Sequence, residues 1–239
     1  MAKIIIPLDQ SSAAEALELV DRLGEGAGFY KVGLELFTRG GPEVVRELRT
    51  RGRRVFLDLK LHDIPNTVAR AVDAAAELDV ELLTLHIQGG VAMLEAARDA
   101  AGERVKLLGV TVLTSLTATE VERVWGREIS SIREEVGRLA DLAHASGLHG
   151  VVASAREAGW IRRKLEPPFL IVTPGIRPAG ADEGDQRRVT TPAEAVAAGA
   201  DYLVVGRPVT RAPDPAGALP PRPSPWRAAR STSAPSARG

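Results

Sequence analysis

The sequence predicts an α/β protein, specifically a single-domain (β/α)8 TIM barrel. Eight short apolar, β-branched runs alternate with longer helix-like segments from the first residues to about Gly206. Such alternation predicts parallel strands with right-handed crossovers, and eight repeats favour closure into a barrel. The length of 239 residues is close to the usual size of this fold. No Gly-x-Gly-x-x-Gly motif follows the first strand, which disfavours a dinucleotide-binding fold.

Each predicted strand is followed by a segment of helical composition. The predicted strands are residues 3–8, 29–34, 54–60, 81–87, 105–112, 150–153, 169–172 and 201–205. Thr117, Ser154 and Thr191 each have a glutamate three positions later, which is the pattern of a capping box at a helix start. Pro192, directly after Thr191, suits the first position of a helix.

The C-terminal part of the sequence departs from this pattern. A barrel is expected to end with a helix that covers its first and last strands, but half of the sixteen prolines fall from Pro208 onward. Because proline interrupts helices, we predict a barrel over residues 1–207 and an irregular Pro/Arg/Ser/Ala-rich tail over residues 208–239. Either this tail covers the barrel irregularly, or the loss of the last helix leaves an uncovered outer face. The side chains expected on that face are Ile4, Ile6, Leu8, Tyr202 and Val204.

The composition argues against several classes of partner. The chain has 31 basic and 31 acidic residues, so no net field attracts nucleic acid or an anionic membrane surface. The absence of cysteine excludes disulfides, thiolate catalysis and thiolate metal sites. The N-terminus has no long apolar segment, and no run of the sequence is long and apolar enough for a membrane span. We therefore expect a cytoplasmic protein.

Charged side chains end three consecutive predicted strands on one face. Strand side chains alternate between faces, so Asp58 and Lys60 share the inward face with Phe56, and Asp9 and Lys31 fall on the inward face of the first two strands. Buried charges are costly unless they are paired, and these four could pair with one another. They lie where barrel enzymes build their active sites, which favours catalysis over a purely structural salt-bridge lattice.

A second group of polar residues lies at the ends of the last two strands. The loops after strands seven and eight form the recurrent phosphate site of this fold. Arg207 follows Gly206 there, and we expect it to contact a phosphate. For Arg177, a phosphate contact and a solvated charge are both open. His86 is interpreted as a hydrogen-bonded rim histidine, because no second histidine is spaced to join it in a metal site.

The run Phe56-Leu57-Asp58-Leu59-Lys60-Leu61-His62-Asp63-Ile64-Pro65-Asn66-Thr67-Val68 resembles the signature of the orotidine 5′-phosphate decarboxylase family, a D-x-K-x-x-D array followed by I-P-x-T. Further segments resemble family motifs in the family's order, and together they reach from the first strand to about residue 215. These segments are residues 8–9, 30–33, 35–37, 113–115, 173–177, 185–186 and 205–207.

The resemblance implies an enzyme without metal or cofactor that decarboxylates orotidine 5′-phosphate, the last step of de novo pyrimidine nucleotide synthesis. Lys60 is expected to stabilise and protonate a carbanion at C6, while Asp58 and the partner's Asp63 hold that lysine charged. It also implies a homodimer in which Asp63, Ile64 and Thr67 reach into the partner's site. The implied substrate contacts are Asp9 and Lys31 with the ribose, Thr114 and Pro174 with the pyrimidine, and Arg177, Gln186, Gly206 and Arg207 with the phosphate.

Two rival functions remain open. A Mg²⁺-dependent sugar-phosphate decarboxylase or aldolase of the same superfamily shares the D-x-K-x-x-D array but usually has a carboxylate where this chain has Lys31. A cation at that position repels a metal ion, which disfavours this alternative. The second rival is an inactive nucleotide-binding barrel that serves as a scaffold, and the atypical C-terminus is the reason to consider it.

Overall fold

A computed structural model describes residues 2–177 and 190–220 of the chain. Within these residues, eight parallel strands form a closed barrel in sequence order, and the first strand pairs with the last. The predicted TIM barrel is therefore confirmed. The strands are β1 (Lys3–Leu8), β2 (Phe29–Gly33), β3 (Arg54–Leu61), β4 (Leu82–His86), β5 (Lys106–Val110), β6 (Gly150–Val152), β7 (Leu170–Thr173) and β8 (Tyr202–Val204).

Helices connect the strands and pack their apolar faces on the outside of the barrel. They are α1 (Ala13–Leu23), α2 (Leu34–Thr50), α3 (Pro65–Ala76), α4 (Val91–Ala101), α5 (Ala118–Trp125), α6 (Ile132–Ala145), α7 (Ala155–Lys164), α8 (Pro192–Ala197) and α9 (Arg207–Thr210). None of the helices in the described ranges has the length and apolar character to cross a membrane. A cytoplasmic location stays a prediction.

Helix starts follow the predicted capping chemistry at two of three positions. Thr117 and Thr191 each accept a hydrogen bond from the backbone N–H three residues later, and the glutamate at that position bonds back. The prediction of a capping box at Ser154 is wrong. Its hydroxyl donates to the carboxylate of Glu157, and its side chain makes no capping bond to the backbone. The helix begins there because Ser154 is extended and the residues after it favour a helix.

The barrel interior holds its own apolar layer, separate from the core under the helices. This layer consists of Ile5, Phe29, Phe56, Leu82, Leu108, Val172, Tyr202 and Val204. The prediction that Tyr202 and Val204 lie on the outer face is therefore wrong. Val204 is the register partner of Ile5, and neighbours in register point to the same side of a sheet. Leu203 and Val205 instead take the outward positions, where they join the core under the helices.

A charged cluster closes the N-terminal end of the barrel below this layer. The guanidinium of Arg54 donates twice to the carboxylate of Glu81, with both distances 2.5 Å. The same guanidinium lies 4.1 Å from the ring centre of Phe29, and the Tyr202 hydroxyl contacts Glu81 at 3.4 Å. The bottom of the barrel is therefore held by an ion pair and aromatic contacts, whereas the opposite end is left for a ligand.

The chain after β8 forms only a short helix and turns as far as Pro220. It nevertheless covers part of the outer face, because Val209 is fully buried and Leu219 packs against the core. Ile6 and Leu8 are buried, so the expected uncovered face is limited to a groove beside Ile4. Residues 221–239 lie outside the described residues, and the division into barrel and tail stays a prediction.

Candidate active site

A cavity of about 290 Å³ opens at the carboxyl ends of the strands. Strands β1, β2, β3, β5, β6, β7 and β8 or the residues that follow them contribute to its wall. This is the end at which the loops of a TIM barrel build active sites. The predicted site residues that line the cavity are Asp9, Lys31, Asp58, Lys60, Thr114, Pro174, Arg177, Gly206 and Arg207.

Four of these residues form a chain of alternating charges across one wall. The Lys60 ammonium donates to Oδ1 of Asp58 at 2.9 Å, and Nζ of Lys31 lies 3.5 Å from Oδ2 of Asp58. Nζ of Lys31 also donates to Oδ1 of Asp9 at 3.4 Å. The predicted pairing of these charges is thus present. It arises because β1, β2 and β3 are adjacent parallel strands that end at the same rim.

Asp58 is a carboxylate at neutral pH despite its burial. Burial raises the pKa of this group, but the ammonium groups of Lys31 and Lys60 lower it. Hydrogen bonds from Lys60 and Thr84 lower it further, and the net effect is a pKa below the ordinary value of an aspartate. The cavity therefore contains a fixed negative charge beside the Lys60 ammonium.

The backbone at Lys60 is bent away from regular strand geometry. Its φ is +51°, in the left-handed region that costs an L-residue about 1–2 kcal/mol. Leu57 and Leu61 of β3 pair with Leu83 and Leu85 of β4, so four steps along β3 match two along β4. This bulge turns Lys60 toward the cavity.

Thr84 of β4 contacts this bulge, and sequence reasoning missed it. The backbone N–H of Lys60 donates to its hydroxyl oxygen at 2.9 Å. The same hydroxyl donates to Oδ1 of Asp58 at 2.9 Å. The available signal was a single hydroxyl residue within the apolar run Leu82-Leu83-Thr84-Leu85.

The wall formed by the ends of β7 and β8 carries the two predicted phosphate arginines. Arg177 and Arg207 both line the cavity, together with Gly206. The side chain of Arg177 is buried, so the alternative of a solvated charge is wrong for this residue. Gly206 lies close to β1, since an added Cβ would come within 3.2 Å of Pro7. Gln186 lies outside the described residues.

Three predicted residues lie beside the cavity on the protein surface. Asp63, Ile64 and Thr67 are exposed, and they lie after β3 at the start of α3. Oδ1 of Asp63 accepts a hydrogen bond of 2.7 Å from the backbone N–H of Ile64. Ile64 is 68% exposed, and Leu34 and Val91, at the starts of α2 and α4, are 55% and 45% exposed. We call Leu34, Ile64 and Val91 the rim patch.

A histidine pair lies at the same rim. His86 ends β4, and its ring centre lies 5.5 Å from that of His62. Sequence spacing did not predict this pair, because His62 was given no role. Burial lowers the pKa of His86, and the nearby His62 and Lys60 lower it further. In the described ranges, no group of three or more His, Cys, Asp or Glu side chains is arranged to hold a metal ion.

Comparisons with known proteins identify the family of this chain. Residues 2–220 match the family described as "Orotidine 5'-phosphate decarboxylase / HUMPS family". A Moorella thermoacetica protein named orotidine 5′-phosphate decarboxylase is 53% identical over 224 residues, which cover 90% of this chain and 88% of that protein. A Vibrio campbellii protein of the same name is 49% identical over 221 residues, which cover 91% of this chain and 94% of that protein.

Solved structures lead to the same group. The crystal structure of orotidine 5′-phosphate decarboxylase from Lactobacillus acidophilus superposes with a TM-score of 0.82 at 37% identity, covering 91% of this chain and 96% of that one. The enzyme of that name from Pyrococcus horikoshii superposes with a TM-score of 0.71 at 26% identity, covering 90% of this chain and 94% of that one. The family match covers most of the chain, and named relatives are about 50% identical to it. The chain therefore belongs to the orotidine 5′-phosphate decarboxylase / HUMPS family.

Proposed function

We propose that this chain converts orotidine 5′-phosphate to uridine 5′-phosphate and CO2, the last step of de novo pyrimidine nucleotide synthesis, without a metal or cofactor. The observation that carries the proposal is the Lys60 ammonium, held 2.9 Å from the buried Asp58 carboxylate inside the cavity. Relatives of about 50% identity bear the name of this enzyme. Lys31, which pairs with two carboxylates, disfavours the Mg²⁺-dependent alternative, because its cation lies where a metal ion would need negative ligands.

The reaction requires charge stabilisation that the substrate cannot supply. When the C6–carboxylate bond breaks, its electron pair stays on C6 in the plane of the pyrimidine ring, where no π system can accept it. The Lys60 ammonium stabilises this pair and then transfers a proton from Nζ to C6, which forms the C6–H bond of the product. The neutral amine regains a proton from water. Asp58 orients the ammonium and repels the substrate carboxylate until CO2 leaves.

Binding energy at the ribose and phosphate offsets this repulsion in the ground state. We assign Asp9 and Lys31 to the ribose hydroxyls, and Thr114 and Pro174 to the pyrimidine. The phosphate is assigned to Arg177, Gln186, Gly206 and Arg207. The described members of this set share the cavity wall, where Lys31 lies on β2 and the two arginines follow β7 and β8.

We further propose a homodimer that places Asp63, Ile64 and Thr67 in the partner's active site. The rim patch exposes three large apolar side chains at the starts of consecutive helices, which is unfavourable in water and typical of an interface. An isologous contact through this patch brings two cavities together and gives each exposed Asp63 a route to the other subunit's Lys60. The Asp63 carboxylate then becomes the second negative charge beside that ammonium.

A direct assay tests the proposed activity. Purified protein is incubated with orotidine 5′-phosphate, with and without EDTA, and loss of substrate is followed by its ultraviolet absorbance. We expect turnover that EDTA leaves unchanged. Turnover that EDTA abolishes would contradict a metal-free reaction, and nucleotide binding without turnover would support the scaffold.

Lys60→Ala tests the assigned chemistry. We expect turnover to fall by about 10⁴-fold or more, because both the charge and the proton donor are removed. Uridine 5′-phosphate should still bind in a calorimetric titration, since the ribose and phosphate contacts remain. Lys106→Ala is the matched control, because Lys106 is exposed at the opposite end of the barrel. Retention of about a tenth of wild-type activity by Lys60→Ala would contradict the assignment.

A further inference from the structure

Thr84 contacts both the backbone of Lys60 and the carboxylate of Asp58. The β3 residues between Leu57 and Leu61 face a single β4 position, and that position is Thr84. Its side chain is fully buried inside the barrel. One hydroxyl therefore accepts the Lys60 backbone N–H and donates its only proton to Asp58, each at 2.9 Å.

The hydroxyl acts on the two features that set the position of the Lys60 ammonium. The first is the left-handed backbone of Lys60, whose N–H would lack this acceptor if Thr84 lost its oxygen. The second is Oδ1 of Asp58, the same oxygen that accepts the Lys60 ammonium. A shift at either point moves the ammonium relative to the substrate carbon, and small displacements of a catalytic group are costly in rate.

We propose that Thr84 is a positioning residue that fixes Lys60 and Asp58 for proton transfer, an inference that rests on the proposed decarboxylase function. Thr84 touches no substrate in this proposal, and it acts through the two charged residues. A purely structural role would depend on the shape of the side chain, whereas positioning depends on the hydroxyl. Valine keeps the shape without the hydroxyl, and serine keeps the hydroxyl without the methyl group.

The matched control is Thr111, which directly follows β5, the strand beside β4. It is also buried in the barrel wall, and its hydroxyl donates to the Val152 carbonyl at 2.9 Å. Thr111→Val therefore removes a buried hydroxyl without touching Asp58 or Lys60. A loss of activity that is specific to Thr84 would separate positioning from general destabilisation of the barrel.

The experiment measures kcat and KM for orotidine 5′-phosphate in the wild type, Thr84→Val, Thr84→Ser and Thr111→Val. We expect Thr84→Val to lower kcat by about 10- to 100-fold, since a buried donor–acceptor pair is lost. Thr84→Ser and Thr111→Val should stay within about threefold of wild type, and the affinity of Thr84→Val for uridine 5′-phosphate should change by less than about threefold. In Thr84→Val, the acid limb of the pH–kcat profile should move to higher pH, because loss of the hydroxyl donor raises the pKa of Asp58.

Each outcome decides the proposal. Equal kcat in Thr84→Val and wild type overturns it, as does a loss in Thr84→Ser that matches the loss in Thr84→Val. A wild type without turnover overturns the proposed function and this inference together, whereas an active wild type with an active Thr84→Val overturns the inference alone. If Thr84→Val fails to give a cooperative thermal transition, Thr84→Ala replaces it, with the same expected loss of kcat.

Discussion

Lys60→Ala and Asp63→Ala are each expected to abolish activity alone, and activity should return when the two variant chains form one dimer. The reason is that the proposed site uses residues from both subunits. Lys60→Ala removes the ammonium inside the cavity, and Asp63→Ala removes an exposed carboxylate beside it. In a mixed dimer, one site takes Lys60 from the Asp63→Ala chain and Asp63 from the Lys60→Ala chain. That site is complete, and the other site lacks both residues.

The magnitude follows from the twofold symmetry of the proposed dimer. Each mixed dimer has one complete site of two, so its turnover per dimer should be about half that of the wild type. The expected activity depends on where the two side chains lie within a single chain. Lys60 lies in the cavity wall, whereas Asp63 lies past the end of β3, with Oδ1 bonded to its own Ile64 N–H.

The assay uses co-expression of the two variants with different affinity tags and purification on both tags in sequence. Turnover of the mixed dimer is compared with that of each parent homodimer, which we expect to be nearly inactive. A reciprocal control pairs a wild-type chain with a Lys60→Ala/Asp63→Ala chain. This dimer should be nearly inactive although one of its chains is fully wild type, since neither site has both residues.

The opposite pattern of activity would refute a site shared between subunits. If Lys60 and Asp63 served the same chain's site, the mixed dimer of single variants would be as inactive as its parents. The wild-type/double-variant dimer would then have about half the wild-type turnover. A monomer at all concentrations in light scattering would refute the shared site directly.

Three further predictions concern stability, phosphate binding and protonation. Arg54→Met should lower the free energy of unfolding by about 2 kcal/mol, or roughly 4–8 °C in melting temperature, because it leaves the half-buried Glu81 carboxylate without its ion pair. The partial exposure of both side chains keeps the cost below that of a fully buried pair. Arg39→Met, at an exposed ion pair, should change the free energy of unfolding by less than about 0.5 kcal/mol. Differential scanning calorimetry measures both variants, and equal effects would contradict the role of the buried pair. Arg207→Ala should raise KM for orotidine 5′-phosphate by about 10- to 100-fold with a smaller change in kcat, and an unchanged KM in steady-state kinetics would remove it from the phosphate site. The His86 imidazole should titrate in NMR below the ordinary pKa of about 6.5 and be neutral at pH 7, and a midpoint above that value would contradict the effect of burial.

Local sequence patterns were sufficient for the barrel and for much of its charged wall. The strand ends were predicted to within two residues, as at β5, where residue 112 was expected and Val110 is the last strand residue. Alternation placed Asp58 and Lys31 on the inward face because β2 and the first part of β3 are regular strands. At β8 the side chains also alternate, but the sequence analysis assigned the wrong set to the outer face. The face of Val204 follows from its pairing with Ile5 and not from the local sequence.

The sequence by itself determined which residues could carry the chemistry. Two lysines and two aspartates at the ends of consecutive strands can pair with one another, because parallel strands bring their carboxyl ends to one rim. The tertiary structure alone decided how Lys60 is held. The bulge in β3 and the contact with Thr84 depend on the register between two strands. Register is set by the packing of the whole barrel, so no local pattern encodes it.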